Sequence, residues 1–405
     1  MASPGTRSGS PGGDGVPGPA SGVRLRLARL AGALSQEQLA ARAGVSRQAV
    51  AGIEAGRFDP SLHVALDLAR ALGRSVEDLF ANPSFLSPTR ALLVGPAGTT
   101  GPLAGVRVEL AEVGERPVAF ALSGDQSLRP GFVPASGRLT STAGAGEPVL
   151  VEAGPPGQPA VVVAGCDPAL GLLAGPLADL APPRRLAWWP CNSAAALALA
   201  AAGLVHAAGV HLPEDGPGIG AVAGAELRRA GAEVIGFGAW EEGLALRPEV
   251  AAVGTDLAGL AQRGLRVVNR EAGSEARHLL DAEIARAGLT GDDLAGYESE
   301  VRAHLLVASA VAAGLGEACV TMEPAAHAYG LAFVPLARET FQLVVPAATL
   351  RTPPVQALLQ VLSAPTLRLE LSRLPGYDAT SCGQAVCTLS LEARLAGRRQ
   401  PLGGL

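Results

Sequence analysis

Between residues 23 and 82 the apolar positions recur with a helical period, and the breaks between runs carry helix-start chemistry. Leu27, Leu30 and Leu34 mark a first helix. Ser35 followed by Gln38 reads as a capping box for a second, with Leu39 and Ala43 inward. Gly44 separates it from a third helix, N-capped by Ser46, whose inward face is Val50 and Ile53. After AGRFDPS, Pro60 and Ser61 open a fourth with Leu62, Leu66, Ala69 and Leu72 inward, and Ser75 caps a fifth that holds Val76, Leu79 and Phe80. From 83 to 159 the pattern turns to alternation: VRVELAEV and RPVAFAL predict strands set between Gly/Pro/Ser turns, a β-rich connector. From 160 to 375 the continuous apolar runs AVVVAG, RLAWWP, VHAAGVHL, EVIGFGAW and LRVVNR alternate with Ala- and Leu-rich helical stretches. That alternation predicts parallel strands covered on both faces, a doubly wound α/β architecture.

Composition sets the outer limits of this picture. A chain of 405 residues exceeds the usual size of one domain, and its hydrophobic fraction of 48% excludes a disordered protein despite 52 Gly and 32 Pro. Residues 1–22 lack an apolar segment and read as a disordered tail without an export signal, and 376–405 read as a C-terminal extension. Leu186 to Pro213 carries no formal charge, but Pro190, Asn192, Gly203, His206 and His211 interrupt it, so no spanning helix is expected. The five cysteines form no CxxC, which predicts reduced cytoplasmic thiols and no zinc or other metal site. A net charge of -5 excludes a protein that coats nucleic acid by bulk charge. The charge is segregated, however: residues 22–85 hold 8 Arg against 6 acids, whereas everything from 86 onward holds 23 Arg against 30 acids. A small DNA-binding module on an acidic partner is compatible with that distribution.

The segment LSQEQLAARAGVSRQAVAGIEAGR, two short helices joined by a turn at Gly44, closely resembles the Cro/C1-type (XRE) helix-turn-helix family over about sixty residues. The resemblance implies that the helix from Arg47 to Glu54 enters the major groove of an operator in double-stranded DNA. Arg47 would address guanine and Gln48 adenine, each by a bidentate pair. It also implies that Gln36 holds a phosphate, with Ser46 and Arg57 completing the DNA-facing set, and that the protein is a homodimer reading two half-sites. At a third position where relatives read a base, this chain has Gly52.

In the alternating half, the strand-to-helix junctions carry small and polar residues: Gly165, Cys166, Asp167 and Pro168; then Cys191, Asn192 and Ser193; then Arg270, Glu271, Ala272, Gly273, Ser274 and Arg277; then Thr321, Met322 and Glu323. In open α/β sheets such junctions converge on ligands. The order of GCDPALGLLAG, NSAAALALAAAGLVHAAGVHL, WEEGL, NREAGSEARHLLD, HLLVASAVAAG and LAFVPL resembles the type II periplasmic-binding-protein-like domain, in its molybdate-binding-like form. This implies a two-lobed clamp on a small ligand, molybdate or another oxyanion, bound by hydroxyl and N–H donors such as those of Ser193 and Ser274, with Arg277 on the same helix face as Ser274. Cys166, Asp167, Asn192, Gly273, Met322 and Glu323 complete the expected ligand set, and no cofactor is expected. Asp167 complicates the oxyanion: a carboxylate beside a dianion is repelled by about 4 kcal/mol per charge pair at 4 Å and an effective dielectric near 20. Either Asp167 is an N-cap before Pro168, or the ligand carries a positive group.

The remaining chemistry-bearing residues have structural readings. His206 and His211 fall on opposite faces of a strand, Trp188, Trp189 and Trp240 suit a core, and adjacent Glu241 and Glu242 suit solvent. Cys166 and Cys191 have no histidine nearby in sequence to activate them. No catalytic set is visible. The sequence therefore predicts a cytoplasmic, ligand-responsive one-component transcription regulator that is not an enzyme. Two alternatives stay open: an enzyme of metal-cofactor metabolism, and a storage or delivery protein, each using the same cleft.

Overall fold

The computed structural model describes residues 21–80, 88–95, 105–123, 126, 128–129, 131–140, 148–153, 158–252 and 256–390. Residues 1–20 of the expected tail (1–22), parts of the connector and the end of the C-terminal extension (391–405) lie outside them, whereas Ser21 and Gly22 already belong to the first helix. Two compact units result, Met1–Thr89 with Val151–Gly157, and Arg90–Leu150 with Gln158–Leu405.

The head is five helices, α1 (Ser21–Ala31), α2 (Gln36–Ala43), α3 (Arg47–Glu54), α4 (Leu62–Leu72) and α5 (Val76–Phe80). The sequence signals for α2 and α3 hold in detail. Ser35 and Gln38 form the reciprocal capping box, Gly44 takes the left-handed conformation (φ 66°) that closes α2, and Ser46 caps α3. The core is Leu25, Leu39, Val50, Ile53, Leu68 and Leu79. Two helix faces differ from expectation: Leu27 and Leu30 are 59% and 54% exposed, and Leu62 and Leu66 are 69% and 41% exposed. On α4 the inward positions are Ala65, Leu68 and Ala69, with Leu72 half-buried. On α1 the face is rotated because it includes a charge. Arg29 is buried and forms a fork with Glu54, Nε to Oε1 at 2.6 Å and Nη2 to Oε2 at 3.0 Å, while its Nη1 donates to the Leu34 carbonyl at 2.8 Å. Apolar periodicity cannot find a helix face built around a guanidinium.

The connector strands VRVELAEV and RPVAFAL are β2 (Arg107–Val113) and β3 (Arg116–Ala121), an antiparallel pair. With β1 (Pro88–Val94), β4 (Gly137–Leu139) and β5 (Pro148–Ala153) they close a small barrel in the order β1-β3-β2-β4-β5. Its β2–β3 hairpin packs on the α/β sheet: the Phe120 ring lies 5.4 Å from Trp189, Arg185 pairs with Glu109 and Arg116 donates to the Ala202 carbonyl.

The remainder is a two-lobed α/β domain around one eight-stranded sheet. In chain order its elements are β6 (Ala160–Ala164), β7 (Arg185–Trp189), α6 (Ser193–Ala201), β8 (Ala207–Pro213), β9 (Ala232–Leu246), α7 (Glu275–Arg286), α8 (His304–Ala312), β10 (Ala318–Met322), α9 (Glu323–Ala328), β11 (Ala332–Pro346), β12 (Tyr377–Asp378) and β13 (Ala385–Leu389). The main path runs β10-β9-β11-β8-β6-β7, with β12 and β13 also on β9. The all-parallel expectation is corrected here. In the eight-stranded sheet β6 with β7 and β6 with β8 are parallel, while β8 with β11 and β9 with β10, β11, β12 and β13 are antiparallel; outside it Asn269–Arg270 pairs in parallel with Glu300–Val301. LRVVNR is likewise mostly irregular, with a strand only at Asn269–Arg270. The antiparallel strands β8, β9 and β10 are buried along nearly their whole length, so β8 and β9 carry the unbroken hydrophobicity that otherwise marks parallel strands.

The two 15-residue strands β9 and β11 set the domain's shape. They pair from Ala232↔Pro346 to Leu246↔Ala332, with bulges at Gly236/Gly238 and Glu242/Gly243. β8 pairs with the C-terminal half of β11, and β10 pairs with the C-terminal half of β9. One ribbon thus belongs to both lobes, and its middle, Trp240–Glu242 opposite Ala337–Glu339, is where they meet.

The buried Arg29–Glu54 fork yields a prediction. Arg29→Met alone leaves Glu54 charged and unpaired and should cost about 3–5 kcal/mol, whereas Arg29→Met with Glu54→Leu should recover most of that loss. Denaturant unfolding of the head transition checks it; equal losses in the single and double variants would refute it.

Candidate functional site

Two sites emerge, one in each unit. In the head, the Ser46 hydroxyl accepts the Ala49 N–H at 3.1 Å, and so is engaged in starting α3. Arg47 and Gln48 project from that start, fully exposed, and line one groove with Ala51, Arg57 and Phe58. Gly52 is there because of Phe58: a Cβ on it would sit 2.3 Å from the phenyl Cε1. Phe58 covers the place where another side chain would project. Gln36 is turned inward, its amide donating to Glu54 Oε2 at 2.8 Å, so the donors α2 presents to a phosphate are the backbone N–H groups of its first turn.

The second site lies at the lobe junction. Cys166 and Asp167 follow β6, His211 is on β8, Trp240 and Glu242 on β9, Glu339 on β11, and His304 begins α8. All are buried, as are Arg270 and Tyr377. His211 Nδ1 faces Glu339 Oε2 at 3.5 Å, and His304 Nδ1 faces Glu242 Oε1 at 3.6 Å and Thr321 Oγ1 at 3.3 Å. The Trp240 ring stacks on Tyr377 and contacts both imidazoles, with centroids 5.8, 5.7 and 6.4 Å away, and its Nε1 donates to Glu242 Oε2. His211 Nδ1, Glu242 Oε1, Arg270 Nη1, His304 Nε2 and Glu339 Oε2 are buried with no hydrogen-bond partner. His304 is delivered by a strained residue: Ala303 has φ 70° and ψ 147°, close to a region kept almost entirely by glycine, at a cost of about 1–3 kcal/mol.

Burial and charge set the ionisation. Burial pushes Asp167 up to about 6, although Tyr377 and the Ala169 N–H donate to it, and pushes Glu242 up to about 7. Burial disfavours the charged His211, yet Cys166, Glu339 and Glu242 around it hold its pKa well above the ordinary value. His304 moves the other way, well below, through burial and the charges of Arg270 and His211. The two rings stand side by side, centroids 5.9 Å apart, with His304 Nε2 unpartnered.

The structure sorts the residues that the sequence proposed. Asp167 is an N-cap, its Oδ1 accepting the Ala169 N–H at 2.8 Å before Pro168. Asn192 and Ser274 are N-caps of α6 and α7, so their side-chain oxygens are engaged in their own turns. Asn192 and Gly273 do face each other, since a Cβ on Gly273 would lie 3.7 Å from Asn192 Nδ2. Ser193 accepts the His211 backbone N–H at 3.2 Å. Arg277 turns to Asp281, Glu300 and the Tyr297 ring, and Glu323 to His327, so neither aims at the junction. Met322 is fully buried in the core beneath it.

Two expectations are corrected. Glu242 is fully buried rather than solvent-facing, because the bulge at Glu242/Gly243 and the second lobe enclose it. Cys166 has a histidine close in space, a ring nitrogen of His211 lying within 4.8 Å of its Sγ. No metal site was expected, yet ligand atoms of Cys166, His211 and His304 all lie within 4.8 Å of one another. No local spacing signals this, as the three come from a loop, a strand and a helix start far apart in sequence. The available clue was an isolated His in each of two apolar runs.

Comparisons with known proteins agree with this two-part layout. Residues 25–79 match the helix-turn-helix family and residues 174–363 match the PBP superfamily domain. An uncharacterized HTH-type transcriptional regulator of Methanocaldococcus jannaschii is 44% identical over 57 residues, 14% of this chain and 86% of that protein. The uncharacterized protein YvgK of Bacillus subtilis is 32% identical over 127 residues, 31% of this chain, and the chain spans only 41% of its length. Among solved structures, a putative phosphate ABC transporter substrate-binding protein of Clostridium perfringens with bound phosphate is 12% identical with a TM-score of 0.40, over 54% of this chain and 99% of that one.

His206 separates structure from site. It is buried off the junction, its Nδ1 accepting the Val162 N–H at 3.0 Å, and burial lowers its pKa to about 4. A depressed histidine pKa stabilises above the unfolded value near 6.5, and this is lost as pH falls toward 4, on the order of 3 kcal/mol in all. His206→Asn, which keeps an acceptor, should remove that component from the pH dependence of unfolding; parallel wild-type and variant curves between pH 6.5 and 4 would contradict it.

Proposed function

This chain belongs to the helix-turn-helix transcriptional regulators and carries a PBP superfamily domain, and from that premise we propose a ligand-responsive one-component regulator whose effector binds at the lobe junction. The observation that carries the reading is the set of buried, unpartnered polar atoms on His211, Glu242, Arg270, His304 and Glu339, contributed by both lobes. Each such atom costs about 1–3 kcal/mol, and a small polar ligand that satisfied them would draw the lobes together. The head would read its operator with Arg47, Gln48 and Arg57, as a homodimer in the cytoplasm. No helix among the described residues is long and apolar enough to cross a membrane.

Molybdate or another oxyanion is the effector that the molybdate-binding resemblance brings. The junction weighs against it: Asp167, Glu242 and Glu339 place three carboxyl groups against one guanidinium, Arg270, which is already paired with Glu271. A cationic or zwitterionic effector suits that balance.

Two outcomes test the proposal. Arg47→Ala with Gln48→Ala should weaken operator binding at least tenfold, since each bidentate base contact is worth about 1–3 kcal/mol, while leaving the melting of both units unchanged. A thermal-shift screen with molybdate, sulfate, phosphate and small zwitterions should find a compound that stabilises by about 2.7 kcal/mol at a hundredfold its Kd and whose shift disappears in Glu242→Gln. Absence of any salt-sensitive shift on the protein's own upstream DNA, with or without these compounds, would sink the regulator reading.

A further inference from the structure

We propose that Cys166, His211 and His304 bind a divalent transition-metal ion of the Zn2+ class across the lobe junction. This rests on the lobe junction being the effector site and names the effector's chemistry. Thiolate sulfur with two imidazole nitrogens is a donor set for Zn2+ and its neighbours, and a poor one for Mg2+ or Ca2+, which take oxygen. The donor atoms lie within 4.8 Å of one another. Tetrahedral bonds of about 2.3 Å to sulfur and 2.0–2.1 Å to nitrogen would bring them to roughly 3.3–3.6 Å, a contraction of about an ångström. Three protein donors leave one position open for solvent or a small ligand.

The surroundings are those of a metal site beyond the donors themselves. Each imidazole has a carboxylate behind its Nδ1, Glu339 for His211 at 3.5 Å and Glu242 for His304 at 3.6 Å. A carboxylate in that position fixes the ring and raises the basicity of the other nitrogen. For His304 that other nitrogen is Nε2, fully buried and unpartnered; for His211 a ring nitrogen lies within 4.8 Å of Cys166 Sγ. Thr321 holds the start of α8 by donating to the His304 carbonyl at 3.2 Å, and strained Ala303 aims the residue. Asp167, Glu242 and Glu339 supply negative charge for a dication, with Arg270 the opposing charge.

The distribution of the donors gives the site a consequence. Cys166 follows β6 and His211 is on β8, both in the lobe that holds the C-terminal half of β11. His304 starts α8, which packs on β10 in the other lobe. A metal held by all three ties the lobes together, so occupancy and lobe closure are one event. Coordination needs a thiolate and two neutral imidazoles, so metal uptake displaces to solvent the protons carried at the ligating atoms, that of His211 included, with no oxidant or reductant needed.

The experiment uses the full chain stripped by a chelator and titrated with Co2+, then Zn2+, in excess Mg2+. Wild-type protein should take up one Co2+ per chain with tetrahedral d–d bands and a thiolate-to-Co2+ charge-transfer band, both bleached by one equivalent of Zn2+. Cys166→Ser should lose the charge-transfer band, and Cys166→Ser and His304→Gln should each weaken uptake at least about a hundredfold, with Glu242→Gln weakening it about tenfold. Cys387→Ser, which removes the exposed thiol, should change nothing. Far-UV circular dichroism and operator binding of each variant report on folding. Should the variants misfold, the wild-type spectrum in the Cys387→Ser background decides alone. Uptake without a charge-transfer band, uptake unchanged in Cys166→Ser and His304→Gln, or no uptake would each overturn the metal site. If operator binding persists in a protein that takes up no metal, this inference fails while the regulator reading stands; if operator binding is absent throughout, the regulator reading fails first.

Discussion

The α/β domain is organised around polar groups that its fold buries at the lobe junction without giving them partners. Protein interiors leave few such atoms, because each forfeits hydrogen bonds to water and gains none in return. Here the facing atoms of His211 and Glu339 stand 3.5 Å apart with neither satisfied, and Glu242 Oε1 and His304 Nε2 are likewise buried without a hydrogen-bond partner. Neighbouring buried polar groups are satisfied: Tyr377 and the Ala169 N–H donate to Asp167, and the Ser193 hydroxyl takes the His211 backbone N–H. The unpartnered atoms gathered there from both lobes are what supports the reading that the junction takes a ligand.

The long ribbon of β9 and β11 makes such a junction mechanically useful. Trp240, Glu242 and Glu339 lie at its middle, where the strands pass from one lobe to the other, and two bulges interrupt its ladder. A group that bridges residues on both sides of that middle biases the angle between the lobes, and lobe angle is a variable to which ligands couple. The β2–β3 hairpin is part of this unit, packed through Phe120 and Trp189 and through Arg185 and Glu109. The connector region thus contributes to the effector domain's own core, in the cluster that also contains Val162, Ala208 and Val344.

Legibility from sequence followed the range of the interactions. Caps and turns are local, and Ser35, Gln38, Gly44, Ser46 and Ser61 announced α2, α3 and α4 correctly. The apolar runs announced β6, β7, β8 and β9 for the same reason. The inward face of α1 was misread because Arg29 holds a core position that only Glu54, 25 residues away, makes tolerable. Strand direction was misread because doubly covered antiparallel strands look like parallel ones. The junction was the least legible, since Cys166, His211, His304 and Glu339 meet only after the whole sheet is assembled. Residues with strong local signals there, Asn192, Ser274 and Asp167, proved to be caps, and Arg277 an ion-pair partner.

The central claim is that the lobe junction, and not the capped helix starts around it, holds the effector. A crystal structure of the full chain grown with the metal or compound that raises its melting temperature most tests this directly. The account predicts added density within bonding distance of His211 on one lobe and His304 on the other, with Glu242 and Glu339 behind them. Density elsewhere, with the two imidazoles and their carboxylates unchanged, would contradict it.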